Sequence, residues 1–349
     1  MSYIIKEYRD SYGGDCAHYP NKSVEELKIL MEKHYDAVGF NTAGYIKNHL
    51  QLASDENMPN FQGNLYINQE KIDTEIDRKK RIITGNCKGD ITFVITSCKR
   101  LNYFIKTINN FLYHCQDLYV FNKWVCIDDN SSEEDRTIMK SKYKFFEFIF
   151  KDPSQKGHAK SLNIMLKKIK TKYVYLLEDD WECRQPFSIL PYIDFMSAKE
   201  FDQLSFMGRG KEGLKYPQIN AIGNIPIYKY VYNQYSQIRK ELSSDMQAKY
   251  TLYEKEFNLI SEEKEQDHGH CYPGFSLNPS IFDIAKLKNY NLSFRENEEF
   301  NDTFELYFAF KCRKIGYKIA FTDISFIHIG EISAYVLNDK SRTFDNINK

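Results

Sequence analysis

Residues 173–183 read YVYLLEDDWEC. Five mostly apolar residues, Tyr173 to Leu177, run into three consecutive carboxylates, Glu178, Asp179 and Asp180, and then into Trp181. A short apolar run with these flanks reads as a buried strand. Turns tolerate acids, so one reading of its end is a polar turn. The other is that a cation sits there, because clustered carboxylates attract a hard divalent ion.

The neighbouring stretches repeat the pattern. DITFVITSCKR (90–100) is an apolar strand ending in small polar residues, and LNYFIKTINNFLYHC (101–115) carries Leu101, Phe104, Ile105, Ile108, Phe111 and Leu112 at helical spacing. WVCIDDNSSEED (124–135) and FFEFIFKD (145–152) read as strands, KGHAKSLNIMLKKIKT (156–171) as a helix. Alternating strands and helices predict a mostly parallel α/β sheet flanked by helices. Ligands of such sheets bind beyond the carboxyl ends of the strands. That edge is where Thr96, Ser97 and Arg100, then Asp128, Asp129 and Asn130, then Glu178 to Asp180 all fall.

Residues 1–88 form an N-terminal appendage, partly helical: NKSVEELKILMEKHY (21–35) has Ser23 as a cap and Glu26 three residues on. Residues 89–349 form the main domain. Within it, about 209–268 is turn-rich and then charged and helical in propensity, an insertion or a lid that orders over a ligand.

Bulk composition narrows the function. Of 349 residues, 42% are hydrophobic and 28% charged, an ordinary globular balance. Forty-eight basic residues match forty-eight acidic ones, which argues against nucleic acid or an anionic membrane as the partner. Aromatic residues reach 15%, enough for sugar- or base-stacking surfaces or simply for a compositional bias. Eight scattered cysteines without a C-x-x-C pair give no zinc-ribbon or redox motif and suggest a reducing compartment. With no signal-like start and no apolar run of membrane length, a soluble, cytoplasmic protein is expected.

Each polar cluster carries two readings. On an extended segment Glu178 and Asp180 face one way and Asp179 the other, so the first and third acids converge on Mn²⁺ or Mg²⁺ or merely end a strand. Asp128 and Asp129 form an Asx-turn, hydrogen-bond a nucleoside, or do both. Thr96, Ser97 and Arg100 cap a helix or offer hydroxyls and a charge to the same nucleotide. Lys156, Gly157, His158 and Ser161 start a helix after a glycine, the sort of turn that edges a phosphate pocket. Glu305 complements a helix N-terminus or acts as general base. His328, between apolar residues, is a core histidine or a metal ligand.

As an ordered set, TSCKRLNYFIKTINNFL, IDDNSSEED, KGHAKSLN, LLEDDWE and FELYFAFKCRKIGYKI resemble glycosyltransferases of the GT-A fold, closest to the inverting family 2 type, across about residues 90–330. The wording of the motifs is also similar to enzymes of large DNA viruses and some bacteria, which for a viral source implies the host cytoplasm. The resemblance implies a nucleotide-sugar donor, with Thr96, Ser97, Asp128 and Asp129 facing a uridine-type nucleotide. Arg100, Lys156, Gly157, His158, Ser161, Asn163, Glu178 and Asp179 complete that pocket. Asp180 is the principal ligand of Mn²⁺ or Mg²⁺ on the diphosphate, with Glu178 and His328 beside it. Glu305 stands where the family places its base. The family usually has a second acid just before that base, and here Phe304 replaces it, which leaves Asp302 as a rival. The Q-x-x-R-W of processive members is absent, so a polysaccharide synthase is not expected. The acceptor is then a glycan, a lipid-linked sugar or a protein, and donor choice rests on Trp181, Arg209 and the 270–278 loop. Rival readings are a sugar-1-phosphate nucleotidyltransferase, disfavoured because TSCKRLN stands where a glycine-rich loop is needed, and a non-catalytic nucleotide- or carbohydrate-binding protein.

Overall fold

A computed structural model describes residues 3–11, 14–50, 62–83, 89–206, 216–232, 234–259, 273–296, 304–324 and 326–330. The N-terminal segment contains β1 (Ile4–Lys6), β2 (Asp15–His18), α1 (Val24–Glu32), β3 (Gly39–Asn41), β4 (Tyr45–Lys47), β5 (Leu65–Ile67) and α2 (Gln69–Ile83). Its strands pair in the order β1-β5-β3-β4-β2, all antiparallel. Strands this short need a packed partner. Leu27 and Met31 of α1 supply it, closing over Phe40 and Ile46. A capping box between Ser23 and Glu26 starts α1.

The main chain then runs β6 (Ile91–Ser97), α3 (Leu101–His114), β7 (Phe121–Asp128), α4 (Glu133–Lys142), β8 (Phe146–Phe150), α5 (His158–Lys168) and β9 (Tyr173–Glu178). After these come β10 (Trp181–Cys183), α6 (Leu190–Lys199), β11 (Gln203–Ser205), β12 (Gln218–Ile222), β13 (Ile225–Lys229), α7 (Gln237–Lys240) and α8 (Ser244–Glu256). The last elements are β14 (Ser280–Asp283), α9 (Ile284–Asn289), α10 (Phe304–Lys314), β15 (Ile319–Thr322) and β16 (Phe326–His328). Among the described residues, one sheet has the order β12-β13-β15-β11-β14-β9-β6-β7-β8. Four of the strands read from the sequence, β9, β6, β7 and β8, are parallel neighbours. Beyond β9 the sheet is mixed: β14 is antiparallel to both β9 and β11, β11 and β15 are parallel, and the β12–β13 hairpin adds on antiparallel to β15.

Every residue of β6 is buried, and its side chains alternate between two cores. Phe93 and Ile95 join Phe111, Trp124 and Tyr175 on the side of α3 and α6; Val94 joins Leu162, Met165 and Phe308 on the side of α5 and α10. Much of the aromatic content goes here, with Phe93 stacked on Trp124 at 4.4 Å. Ile72 and Ile76 of α2 enter the first core, so α2 packs onto α3. In the charged insertion, Tyr250 and Tyr253 of α8 pack on Leu306, Tyr307 and Phe310 of α10, docking the described part of that segment. Residues 209–215, 233 and 260–268 of it lie outside the described residues. No helix among the described residues is long and apolar enough to cross a membrane.

The junction of α2 and α3 makes stability depend on pH. His114 is fully buried with no hydrogen bond to either ring nitrogen among the described residues. Burial holds it well below the ordinary histidine value, with the charges of His49 and Lys79 adding to the effect. His49 is lowered to about 4 by burial and by Lys79. Both rings fold neutral and protonate near 6.5 when unfolded. Their contribution is therefore complete above that value and is lost as pH falls from about 6.5 toward 4, at ~1.4 kcal/mol per pH unit per proton. Urea denaturation at pH 7, 6 and 5 should show this loss, and His114→Phe should make it shallower by about one proton. An unchanged slope in the variant would assign the acid sensitivity to other groups.

Candidate active site

The register of the parallel strands brings three polar ends together. Thr96 lies opposite Glu178 on one side and Ile127 on the other, and Ser97 lies opposite Asp128. The three acids at the end of β9 then take separate tasks.

Asp179 is an anchor. Its carboxylate accepts from Ser97 Oγ at 3.0 Å, from the Cys98 backbone N–H at 3.1 Å and from Arg100 Nη2, and its carbonyl accepts from Thr107 Oγ1 at 2.9 Å. It thereby fixes the turn from β6 into α3, where Lys99 takes a left-handed φ of 56° and donates its backbone N–H to Ser131 Oγ. Burial pushes the Asp179 carboxyl up to about 6, against the pull of Arg100.

Asp180 is also buried but shares the Arg100 guanidinium and meets β16. Its Oδ2 accepts from Arg100 Nη1 at 2.7 Å and lies 3.1 Å from His328 Nε2. Its Oδ1 is buried and has no hydrogen-bond partner among the described residues. Burial would raise this carboxyl, but the His328 hydrogen bond and Arg100 outweigh it and hold it below the usual range. His328 arrives because β16 pairs antiparallel with β10, setting His328 opposite Trp181 and directing the Ile329 N–H onto the Asp180 carbonyl at 2.8 Å. Gly330 completes the fit: a Cβ there would stand 2.2 Å from Asp180 Oδ2. Gly330→Ala should therefore displace Asp180 and lower turnover by roughly 10²-fold with little loss of thermal stability, as a catalytic group moved by about 1 Å typically does. Near-normal kcat in that variant would show that the carboxylate position is not critical.

Glu178 remains partly exposed. Its Oε1 is 3.6 Å from His158 Nε2, and its Oε2 accepts a long bond from Trp181 Nε1 at 3.4 Å. Burial first, then the charges of Asp180 and Glu305, push its carboxyl well above the usual value. Such a group takes up a proton unless a cation compensates it. His158 also lies 3.4 Å from Thr96 Oγ1, and burial, reinforced by Lys151, lowers it to about 4.

Glu305, in the first turn of α10, accepts the Leu277 backbone N–H at 2.8 Å. Its charge reaches Glu178, and Phe304 beside it lies edge-on to His158 at 5.5 Å. The helix start thus closes on the same edge. Asp302 lies outside the described residues, as does Arg209.

The remaining expected residues line this edge from behind or turn away. Asp128 is fully buried, accepting the Ser131 backbone N–H and pairing with Arg136 Nε at 2.9 Å, the contacts of a turn. Asp129 accepts the Gly157 N–H at 2.9 Å and pairs with Lys151 at 3.1 Å. Gly157 has a φ of +126°, which suits glycine, and Lys156 before it is exposed. Ser161 is turned inward onto Lys151 Nζ, and Asn163 holds both the backbone N–H and the carbonyl of Phe294. These two polar side chains on the inner part of α5 are used in packing. Arg136, Lys151 and Gly330 were not singled out from sequence. Arg136 sits eight residues after Asp128 in an ordinary charged helix, and Gly330 matters only once β16 has paired with β10.

No group of three His, Cys, Asp or Glu side chains among the described residues is arranged to hold a metal ion. Mg²⁺ and Mn²⁺ sites on nucleotides need fewer, since one or two carboxylates plus phosphate oxygens suffice. The unpaired Asp180 Oδ1, with His328 and Glu178 alongside, fits that sparse donor set.

The family model for glycosyl transferase family 2 matches residues 92–266. No curated protein matches the chain by sequence. Among solved structures it is similar to S. aureus TarS 1-349 in complex with UDP, at 17% identity and a TM-score of 0.41, covering 66% of this chain and 57% of that one. The same protein in complex with UDP-GlcNAc gives 16% identity and a TM-score of 0.40, covering 69% of this chain and 61% of that one. GalNAc-T7 with UDP, GalNAc and Mn²⁺ gives 13% and 0.41, covering 70% and 44%.

Proposed function

The chain belongs to glycosyl transferase family 2 and is a glycosyltransferase of the GT-A fold, and from that premise we propose that it moves a sugar from a UDP-sugar to an acceptor hydroxyl by one inverting displacement that depends on a divalent cation. The observation that carries this reading is the meeting, at one sheet edge, of an unpaired buried Asp180 oxygen with Arg100, His328, Glu178 and Glu305. The acceptor oxygen attacks C1 of the sugar, the C1–O bond to the diphosphate breaks, and the acceptor proton passes to the Glu305 carboxylate. The Leu277 N–H orients that carboxylate. Asp180, Glu178 and His328 would hold Mn²⁺ or Mg²⁺, which when bound neutralises charge on the leaving diphosphate. Arg100 keeps Asp179 and Asp180 in register, and in this reading Thr96 and His158, 3.4 Å apart, would meet nucleoside or sugar hydroxyls. The acceptor class is a glycan, a lipid-linked sugar or a protein.

Thermal unfolding with UDP, UDP-sugars and GDP-sugars, each with and without Mn²⁺, tests the proposal. Ligand at 100 times Kd should add ~2.7 kcal/mol, only in the presence of the cation and more for uridine than guanosine. Equal stabilisation without metal would remove the cation from the reading. Binding without any transfer to water or acceptor would favour a non-catalytic protein.

A further inference from the structure

We propose a second carbohydrate site, on the N-terminal sheet at the end of α3 remote from Arg100. A cavity of about 570 Å³ opens there between the 35–49 segment, the start of α2 and the end of α3. Cavities of ~300–1,000 Å³ suit small organic ligands. Tyr113 lines it and is 7% exposed, with His49 stacked on it at 5.0 Å and 15°. His49 Nε2 has no hydrogen-bond partner among the described residues, and the Leu50 backbone lies near the Tyr113 hydroxyl. At the mouth, Tyr35 is 93% exposed, an aromatic face of the type on which the C–H face of a pyranose rests.

Charge selects the ligand class. Asp36, Glu70 and Glu75 line the walls; Glu75 is held by two guanidinium nitrogens of Arg78, and Lys71 spends its ammonium on the carbonyls of His34 and Ala37. Asp36 and Glu70 carry the remaining negative charge of the walls, which disfavours a phosphate. Carboxylates beside aromatic rings accept from sugar hydroxyls, which points to a neutral glycan. The 14 residues of α3 separate this cavity from Arg100 by about 21 Å at 1.5 Å per residue. An acceptor or product chain of several sugars spans that distance, so the site would retain a growing or extended glycan beside the transfer edge. This takes from the family assignment only that the chain works on sugars.

The test is a calorimetric titration of the full chain with maltotetraose, cellotetraose and chitotetraose, with UDP titrated separately. At least one oligosaccharide should saturate with Kd below about 1 mM, Tyr35→Ala should weaken it about tenfold, and UDP affinity should not change. No saturation by any of the three at about 10 mM overturns the site, as does binding indifferent to both Tyr35→Ala and Glu70→Gln. Spermine binding that requires Tyr35 where the glycans show none would assign the cavity to cations instead. Loss of UDP binding in wild type with glycan binding intact would strike the donor-site reading and leave this one standing.

Discussion

Glu305→Gln is expected to lower kcat by ~10²–10⁴-fold while donor affinity stays within about twofold. The amide keeps the shape of the side chain, and its oxygen still accepts the Leu277 N–H that positions Glu305 now. What it cannot do is take the proton of the acceptor hydroxyl. The structural contribution of the charge is small by comparison, since an acid in the first turn of a helix is worth ~0.3–1 kcal/mol. The variant should therefore fold normally and fail at transfer. A side effect is also expected at Glu178, whose carboxyl is raised in part by the charge of Glu305, so removing that charge should ease its ionisation. The measurement is kcat at saturating donor, with donor affinity from calorimetry. A mild effect here together with a large one in Asp302→Asn would move the base three residues back along the chain.

The parallel half of the sheet was legible because fully buried parallel strands are continuous apolar runs, and β6 is buried at every residue. Their polar ends were legible for the same reason: nothing in the packing of ITFVITS or YVYLLE explains the polar residues that end them. The order of β14, β11 and β15 in the mixed half was not. QLS and SIFD are too short to show a period, and their order depends on contacts far apart in sequence. At the site, residue types were readable and their division of labour was not. Alternation along an extended strand set Glu178 and Asp180 on one side and Asp179 on the other. The chain instead turns at Asp179 and Asp180, and Asp179 goes to the β6–α3 loop because Ser97, Cys98 and Arg100 offer it three donors. His328 was readable as a core residue or a ligand; it is half-exposed and meets Asp180 through a two-stranded pairing that no local pattern announces.

Asp180→Asn should remove Mn²⁺-dependent transfer, a loss of at least ~10²–10³-fold, because a neutral amide replaces a carboxylate whose Oδ1 has no hydrogen-bond partner among the described residues. The stability cost should be modest, about 1–3 kcal/mol, since Arg100 keeps its partner Asp179 and the Ile329 N–H still binds the backbone carbonyl at 180. Those two effects separate a metal ligand from a folding residue. A second variant sharpens the distinction. Arg100→Gln leaves Asp179 and Asp180 buried without their guanidinium, so without metal it should be less stable than wild type by several kcal/mol, as for a broken buried ion pair. A cation that binds Asp180 then restores part of the loss, and thermal stabilisation by Mn²⁺ should be larger in Arg100→Gln than in wild type and absent in Asp180→Asn. If Mn²⁺ stabilises Asp180→Asn as well as wild type, the ion is held elsewhere. Asp180 then serves only to hold Arg100 and His328 in place, and the acids at the end of β9 revert to a charged turn.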